Sequence, residues 1–198
     1  MTIEFSIPSA EQIQLLGAAF GANATGGELV MLNGPLGAGK TTMTQGIARG
    51  LGIAARISSP TFVIAQNYHG KNGVDLVHVD AYRLDSIEDL DALDLDSSLE
   101  ESLTVVEWGE GKVEVLSADR IEIDIHRPVG SESGFDPEDL YGDAPRTLEI
   151  RAFGAAGEAY LEKVLADSSI DSLTQIAGAS SARLEVAPAI IAENTPES

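Results

Sequence analysis

Gly34-Pro35-Leu36-Gly37-Ala38-Gly39-Lys40-Thr41 carries the most chemical content in the sequence, and it fits G-x-x-x-x-G-K-[ST]. The glycines let the backbone curl so that successive N–H groups point inward at phosphate oxygens. A helix starting near Lys40 would turn the positive end of its dipole on the same anion. Lys40 can reach the β- and γ-phosphates, and the Thr41 hydroxyl can bind Mg²⁺. Thr42 is read as a helix N-terminal residue near the α-phosphate. A chance glycine-rich turn would lack the surroundings found here, a buried strand before the loop and a helix after it. The stretch therefore predicts nucleotide binding.

Such a loop needs a carboxylate at the end of a neighbouring strand to complete the Mg²⁺ shell. Asp80, after Val74 to Val79, and Glu107, after Leu103 to Val106, both qualify. The shorter Asp suits the metal shell, and the longer Glu could reach an attacking water. The two acids can exchange these roles. Ser58-Ser59-Pro60-Thr61-Phe62 places small hydroxyls beside a rigid proline. It reads either as an ordinary turn or as a switch segment whose Thr61 senses the γ-phosphate or metal. Trp108, the only tryptophan, follows Glu107 directly and serves either packing or stacking on a ligand. Tyr82 and Arg83 come just after Asp80, at the same edge of the expected sheet. The arginine could contact phosphate or pair with the acid-rich stretch that follows.

The elements that must position these residues can be read from the pattern. A strand is expected at Ile3 to Phe5, then an amphipathic helix from about Ala10 to Phe20, with Ser9 as N-cap and Gln12 as its capping-box partner. Leu29 to Leu32 is a short apolar strand buried on both faces. A helix runs from about Lys40 to Gly50 or Gly52. Phe62 to Tyr68 and Val74 to Asp80 read as strands of a hairpin joined by His-Gly-Lys-Asn-Gly. Leu84 to Glu101 has Ile87, Leu90 and Leu93 at helical spacing, and Leu103 to Val106 is a second buried strand. Arg120 to Ile125 and Thr147 to Ala152 alternate apolar with polar, and the Gly-, Asp-, Glu- and Pro-rich loop between them is expected to be mobile. Strands alternating with helices around a glycine loop predict an α/β layer with a mixed sheet.

Composition bounds the function classes. The chain has 198 residues, close to one domain at about 150 residues each. With 43% hydrophobic residues it can build a sizeable core. Residues 1–165 are read as that domain, and 166–198, rich in Ala, Ser and acids, as a flexible tail. Asp+Glu is 32 against Lys+Arg 12, giving a formal net charge of −20. Such a surface repels phosphate backbones, so unaided nucleic-acid binding is not expected. The absence of cysteine excludes disulfides, a thiol nucleophile and Cys-ligated metal. No apolar run approaches bilayer length, and Met1 to Gln12 lacks the basic and apolar regions of a secretory signal. A soluble cytoplasmic protein without membrane contact is expected.

Taken together, GPLGAGKTT at 34–42, SPTF at 59–62, HVDAYRL at 78–84 and EWGE at 107–110 resemble, in order and spacing, the TsaE (YjeE) family. These are P-loop ATPases of bacterial tRNA threonylcarbamoyladenosine biosynthesis. The resemblance runs from about Ile3 to Lys163, and Pro35 departs from the Asp usual after the first glycine. It implies a P-loop NTPase-like three-layer α/β sandwich with a mixed, mainly parallel central sheet. It further implies that ATP or ADP is held with Mg²⁺ by Gly34 to Thr42, with Thr61 in a switch-like segment and Trp108 beside the site. Lys40 and Thr41 would bind phosphate and Mg²⁺, Asp80 would be the Walker-B-like acid, and Glu107 would be needed for hydrolysis at the metal. TsaB and TsaD are the implied partners. TsaD would carry out the transfer to adenosine 37, ATP hydrolysis would let the complex turn over, and tRNA would be met only through that complex.

Three other readings compete. A small-molecule P-loop kinase would need a basic lid, and basic residues are scarce. A GTPase would need an N-K-x-D guanine motif, which is absent. A non-hydrolysing, nucleotide-dependent interaction module would share every binding residue and lack turnover.

Overall fold

A computed structural model describes residues 1–84, 86–93, 95, 99–127 and 145–176. Along the chain these form β1 (Thr2–Ile7), α1 (Ala10–Asn23), β2 (Leu29–Asn33), α2 (Lys40–Gly50), β3 (Ala65–Tyr68) and β4 (Asp75–Asp80). They continue with α3 (Ile87–Asp91), β5 (Ser102–Glu107), β6 (Arg120–His126), β7 (Arg146–Phe153), α4 (Gly154–Leu165) and β8 (Thr174–Gln175). The strands make one sheet in the order β3-β4-β5-β2-β6-β7-β1-β8.

The centre of the sheet follows from its apolar runs. Every residue of β2 and of β5 is buried, as expected for strands covered on both faces. β2 pairs in parallel with β5 and β6, and β5 in parallel with β4. The outer pairings, β3 with β4, β6 with β7, β7 with β1 and β1 with β8, are antiparallel. The parallel quartet therefore occupies the middle of an α/β fold of the phosphate-loop kind.

One face of the sheet carries the larger core. Val30, Leu32, Leu103, Val105 and Ile123 pack there with Leu16 and Phe20 of α1, Met43 and Ile47 of α2, and Leu161 of α4. On the other face Met31, Val77, Val79 and Val106 are covered by Leu84, Leu90, Leu95 and Val113, a smaller cluster to which α3 contributes Leu90. Helices α1 and α2 meet through glycine. A Cβ on Gly17, Gly21, Gly46 or Gly50 would run into backbone atoms of the opposite helix. This close approach fixes where α2, and with it the glycine loop, sits.

Several expectations change on contact with the structure. The strand expected from Phe62 begins only at Ala65, because residues 61–64 turn back on Pro60: the N–H groups of Val63 and Ile64 both bond to its carbonyl, at 2.9 and 2.6 Å. Among the described residues of the Leu84 to Glu101 stretch, helix is seen in α3 and at Leu99, whose N–H bonds to the Leu95 carbonyl at 3.0 Å, and its Asp85, Asp94 and 96–98 lie outside the described residues. Ser9 does cap α1, accepting from Gln12 N–H at 3.4 Å, whereas the Gln12 side-chain oxygen is buried without a partner. The helix α4 was not anticipated. Nor was the ordered chain beyond 165: Ile170 and Leu173 are buried, and β8 pairs with β1. The boundary set at 166 thus moves to Ile176 at the earliest, and the loop expected to be mobile (128–144) and the rest of the tail (177–198) lie outside the described residues.

Candidate active site

Strand alternation and one helix end build the site. In β4, Leu76 belongs to the core face beneath α2, so His78 and Asp80, two and four residues on, share it. In β5, Leu103 and Val105 do the same for Glu107. Parallel register sets Asp80 beside Glu107 and Leu32 on the other side of Glu107. Two residues beyond Leu32 the chain enters the loop, so both acids stand at the C-terminal end of the sheet under the first turn of α2.

The loop has the backbone its sequence requires. Gly34, Gly37 and Gly39 adopt φ of 133°, 75° and 120°, a region that L side chains rarely enter. A Cβ on Gly34 would also lie 2.6 Å from the Ile125 carbonyl oxygen. Ala38 N–H bonds to Pro35 at 3.2 Å, and helical bonding resumes with Met43 N–H to Gly39 at 2.9 Å. Among the described residues, the N–H groups of Gly39 to Thr42 have no backbone acceptor. They are the unpaired donors of a helix start, ready for an anion.

Lys40 is 5% exposed, and its ammonium donates to the carbonyls of Gly34 at 2.7 Å and Pro35 at 3.0 Å. It also lies 3.8 Å from the centre of the Trp108 ring. Burial holds the Lys40 ammonium below its ordinary pKa, and the charges of Glu107 and Asp80 partly offset that. A polyphosphate arriving here would meet a desolvated cation held by loop carbonyls. Arg146 is buried on the outer side of the loop and donates from Nε to the Ala38 carbonyl at 3.0 Å, bracing it.

The two acids hold different partners. Glu107 Oε1 accepts from the Thr41 hydroxyl at 2.9 Å and from His78 Nε2 at 2.9 Å, with Oε2 3.3 Å from the Thr41 hydroxyl. Asp80 Oδ2 accepts from Thr61 at 2.6 Å and Ser59 at 3.0 Å, and Oδ1 from Tyr82 N–H at 3.1 Å. The Ser-Pro-Thr segment is therefore attached to Asp80, and the glycine-loop helix to Glu107. Two non-glycine residues with left-handed backbone flank this arrangement: Ile64 at φ 68° and Trp108 at φ 60°. Such values are strained, for a β-branched side chain above all.

The donor set fits a small hard cation, with one hydroxyl and two carboxylates under a phosphate cradle. Thr41, Asp80 and Glu107 are the residues that could hold it. Thr42 lies in the first turn of α2, as expected. Trp108 meets Tyr82 edge-on, with ring centres 5.6 Å apart, and the two help line an open cavity of about 420 Å³ beside Gly34. Arg83 is exposed. His78 was not singled out from sequence, although alternation alone places it on the face of Asp80. A separate trio, Asp124, His126 and Glu149, lies on the other face of the sheet, where Arg151 pairs with Asp124 at 2.6 Å and Glu149 at 3.6 Å. No described helix is long and apolar enough to cross a membrane.

The family model described as "Threonylcarbamoyl adenosine biosynthesis protein TsaE" matches residues 7–133. The chain is 56% identical over 106 residues to the tRNA threonylcarbamoyladenosine biosynthesis protein TsaE of Streptomyces coelicolor, covering 52% of this chain and 72% of that one. It is 32% identical over 164 residues to the protein of the same name in Bacillus subtilis, covering 82% and 93%. A crystal structure of Bacillus subtilis YdiB superposes with a TM-score of 0.63 at 27% identity, over 83% of this chain and 95% of that one.

Proposed function

The chain belongs to the TsaE family, whose curated members are named as tRNA threonylcarbamoyladenosine biosynthesis proteins, and from that premise we propose that it binds and hydrolyses ATP with Mg²⁺ in that pathway. The observation that carries the reading is the convergence of Lys40, Thr41 and Glu107 at the N-terminus of α2, joined by the 2.9 Å contact of Thr41 with Glu107. Backbone N–H groups of the loop and the Lys40 ammonium bind the phosphate oxygens. Thr41 and Asp80 would hold the metal, with Glu107 beside them, and when bound it would neutralise charge on the phosphates and orient them. Glu107 orients the water that attacks, and the pinned loop keeps the reacting groups in register.

Adenosine 37 threonylcarbamoylation would then proceed with TsaB and TsaD as partners, this chain meeting tRNA only through their complex. The net charge of −20 supports that division, since a surface so acidic gains nothing from RNA phosphates. Phosphate release from ATP and from GTP, with and without TsaB–TsaD, tests the proposal. Turnover of ATP that rises with the partners is expected. Binding without turnover under every condition would leave a nucleotide-dependent interaction module instead.

A further inference from the structure

His78 is fully buried, and its Nε2 is 2.9 Å from Glu107 Oε1. A carboxylate oxygen accepts, so the ring nitrogen donates. The other ring nitrogen, Nδ1, is buried without a hydrogen-bond partner. An aliphatic side chain would fill this place beneath α2 without stranding a polar atom. The imidazole therefore carries an unmet polar atom in order to present one N–H to Glu107. His78 pairs in register with Val105, so it reaches Glu107 diagonally across adjacent parallel strands on the shared face.

The consequence falls on the carboxylate. Oε1 is taken by two donors, His78 and Thr41, whereas Oε2 has only the 3.3 Å approach of Thr41. Of those donors, Thr41 sits in the first turn of the glycine-loop helix, beside its unpaired N–H groups. His78 sits on β4, one strand in from the sheet edge, and its side-chain hydrogen bond is the one to Glu107. Resting on the hydrolytic reading above, we propose that His78 is a positioning residue, whose Nε2–H pins Glu107 Oε1 and leaves Oε2 as the acceptor open to the attacking water. It acts through Glu107 alone.

The test uses the full chain, with TsaB–TsaD added for turnover. His78→Leu removes the donor at similar volume, and His78→Gln returns an amide N–H near the position of Nε2. In His78→Leu, kcat is expected to fall about 10- to 100-fold while KM and ATP affinity stay within about twofold, and His78→Gln should recover most of the loss. Wild-type kcat in His78→Leu overturns the proposal. So does a loss of binding in step with kcat, or a His78→Gln variant as slow as His78→Leu. A second measurement needs no turnover: ¹⁵N-histidine NMR of the wild type with Mg²⁺ and a non-hydrolysable ATP analogue. A slowly exchanging Nε2–H resonance that shifts in Glu107→Gln is expected, and one indifferent to that change overturns the contact. Absence of ATP turnover in the wild type defeats the hydrolytic reading instead, and the resonance then decides alone whether His78 holds Glu107.

Discussion

The Thr61 hydroxyl lies 2.6 Å from Asp80 Oδ2, and Ser59 shares the same oxygen at 3.0 Å. With Oδ1 bonded to Tyr82 N–H, Asp80 is engaged on both oxygens by the chain itself. A metal ion drawing on this carboxylate must compete with Thr61 and Ser59. Binding of Mg²⁺ with nucleotide is therefore expected to release residues 59–63, where Phe62 is already 91% exposed. Hydrogen exchange over that segment should change with Mg²⁺-ATP and not with ATP in chelator. Equal exchange in both would separate the segment from metal sensing.

The two acids should differ on mutation. Asp80→Asn removes the carboxylate proposed for the metal and is expected to lower Mg²⁺-dependent nucleotide affinity by about 10- to 100-fold. Glu107→Gln keeps size and is expected to leave binding largely intact while slowing turnover by roughly 10²- to 10⁴-fold. Titration and single-turnover hydrolysis of both variants decide the matter. The reverse pattern would exchange the metal and water roles.

Lys40 makes a prediction in pH. Burial lowers its pKa in the free protein, and a bound polyphosphate favours the charged form and raises it. Between those two values the free protein has lost the proton and the complex regains it, so binding takes up a proton at alkaline pH. Affinity should fall as pH rises through the lowered value. Calorimetry in two buffers of different ionisation enthalpy reads the uptake directly, and its absence across the alkaline range would contradict the burial argument. Lys40→Ala should remove the uptake and cost about 1.5–3 kcal/mol of binding.

Gly46 tests the α1–α2 contact. On an open helix surface Gly→Ala would gain about 1 kcal/mol from helix propensity. Here the new Cβ would enter the backbone of Gln14. Overpacking is expected to win, leaving Gly46→Ala about 1–3 kcal/mol less stable. Since α2 carries Lys40 and Thr41, ATP affinity should fall with it. A higher melting temperature would show that the helices can part without loss.

The central strands and the loop were legible because each rests on one strong local signal. β2 opens on the apolar run Leu29 to Leu32, β5 is apolar from Leu103 to Val106 apart from Thr104, and the glycine spacing admits few alternatives. Phe62 and Val63 have strand-like side chains, yet Pro60 and the hydroxyl contacts with Asp80 override that propensity. In α4 the glycines at 154 and 157 hide the helix. Gly157 is needed where a Cβ would stand 2.8 Å from the Arg120 carbonyl oxygen, a contact only the fold reveals. Ile170 and Leu173 sit in a stretch of Ser and Asp that reads as tail, and they are buried all the same. Substituting either by Ala is expected to cost about 2 kcal/mol or more, and a chain ending at 167 should melt well below the full protein. An unchanged melting temperature would return the domain boundary to 166.

Charge supports the last expectation. With 32 acidic against 12 basic side chains, the chain carries −20, while non-specific RNA affinity comes from cations that displace counterions from phosphates. Besides the exposed Arg83, the basic groups at the site are engaged by the protein itself. Lys40 is bound to loop carbonyls and buried, Arg146 is buried against Ala38, and Lys112 donates to the Ala81 carbonyl at 2.8 Å. The isolated protein is therefore expected to give no tRNA shift at physiological salt. If it works beside TsaB–TsaD, docking steered by its acidic surface should weaken as salt rises, whereas docking through apolar side chains such as Phe62 should not. Calorimetry with TsaB–TsaD over a salt series, beside a gel shift with tRNA and this chain alone, separates the cases. Tight tRNA binding by the chain alone would mean that a local basic patch outweighs the net charge.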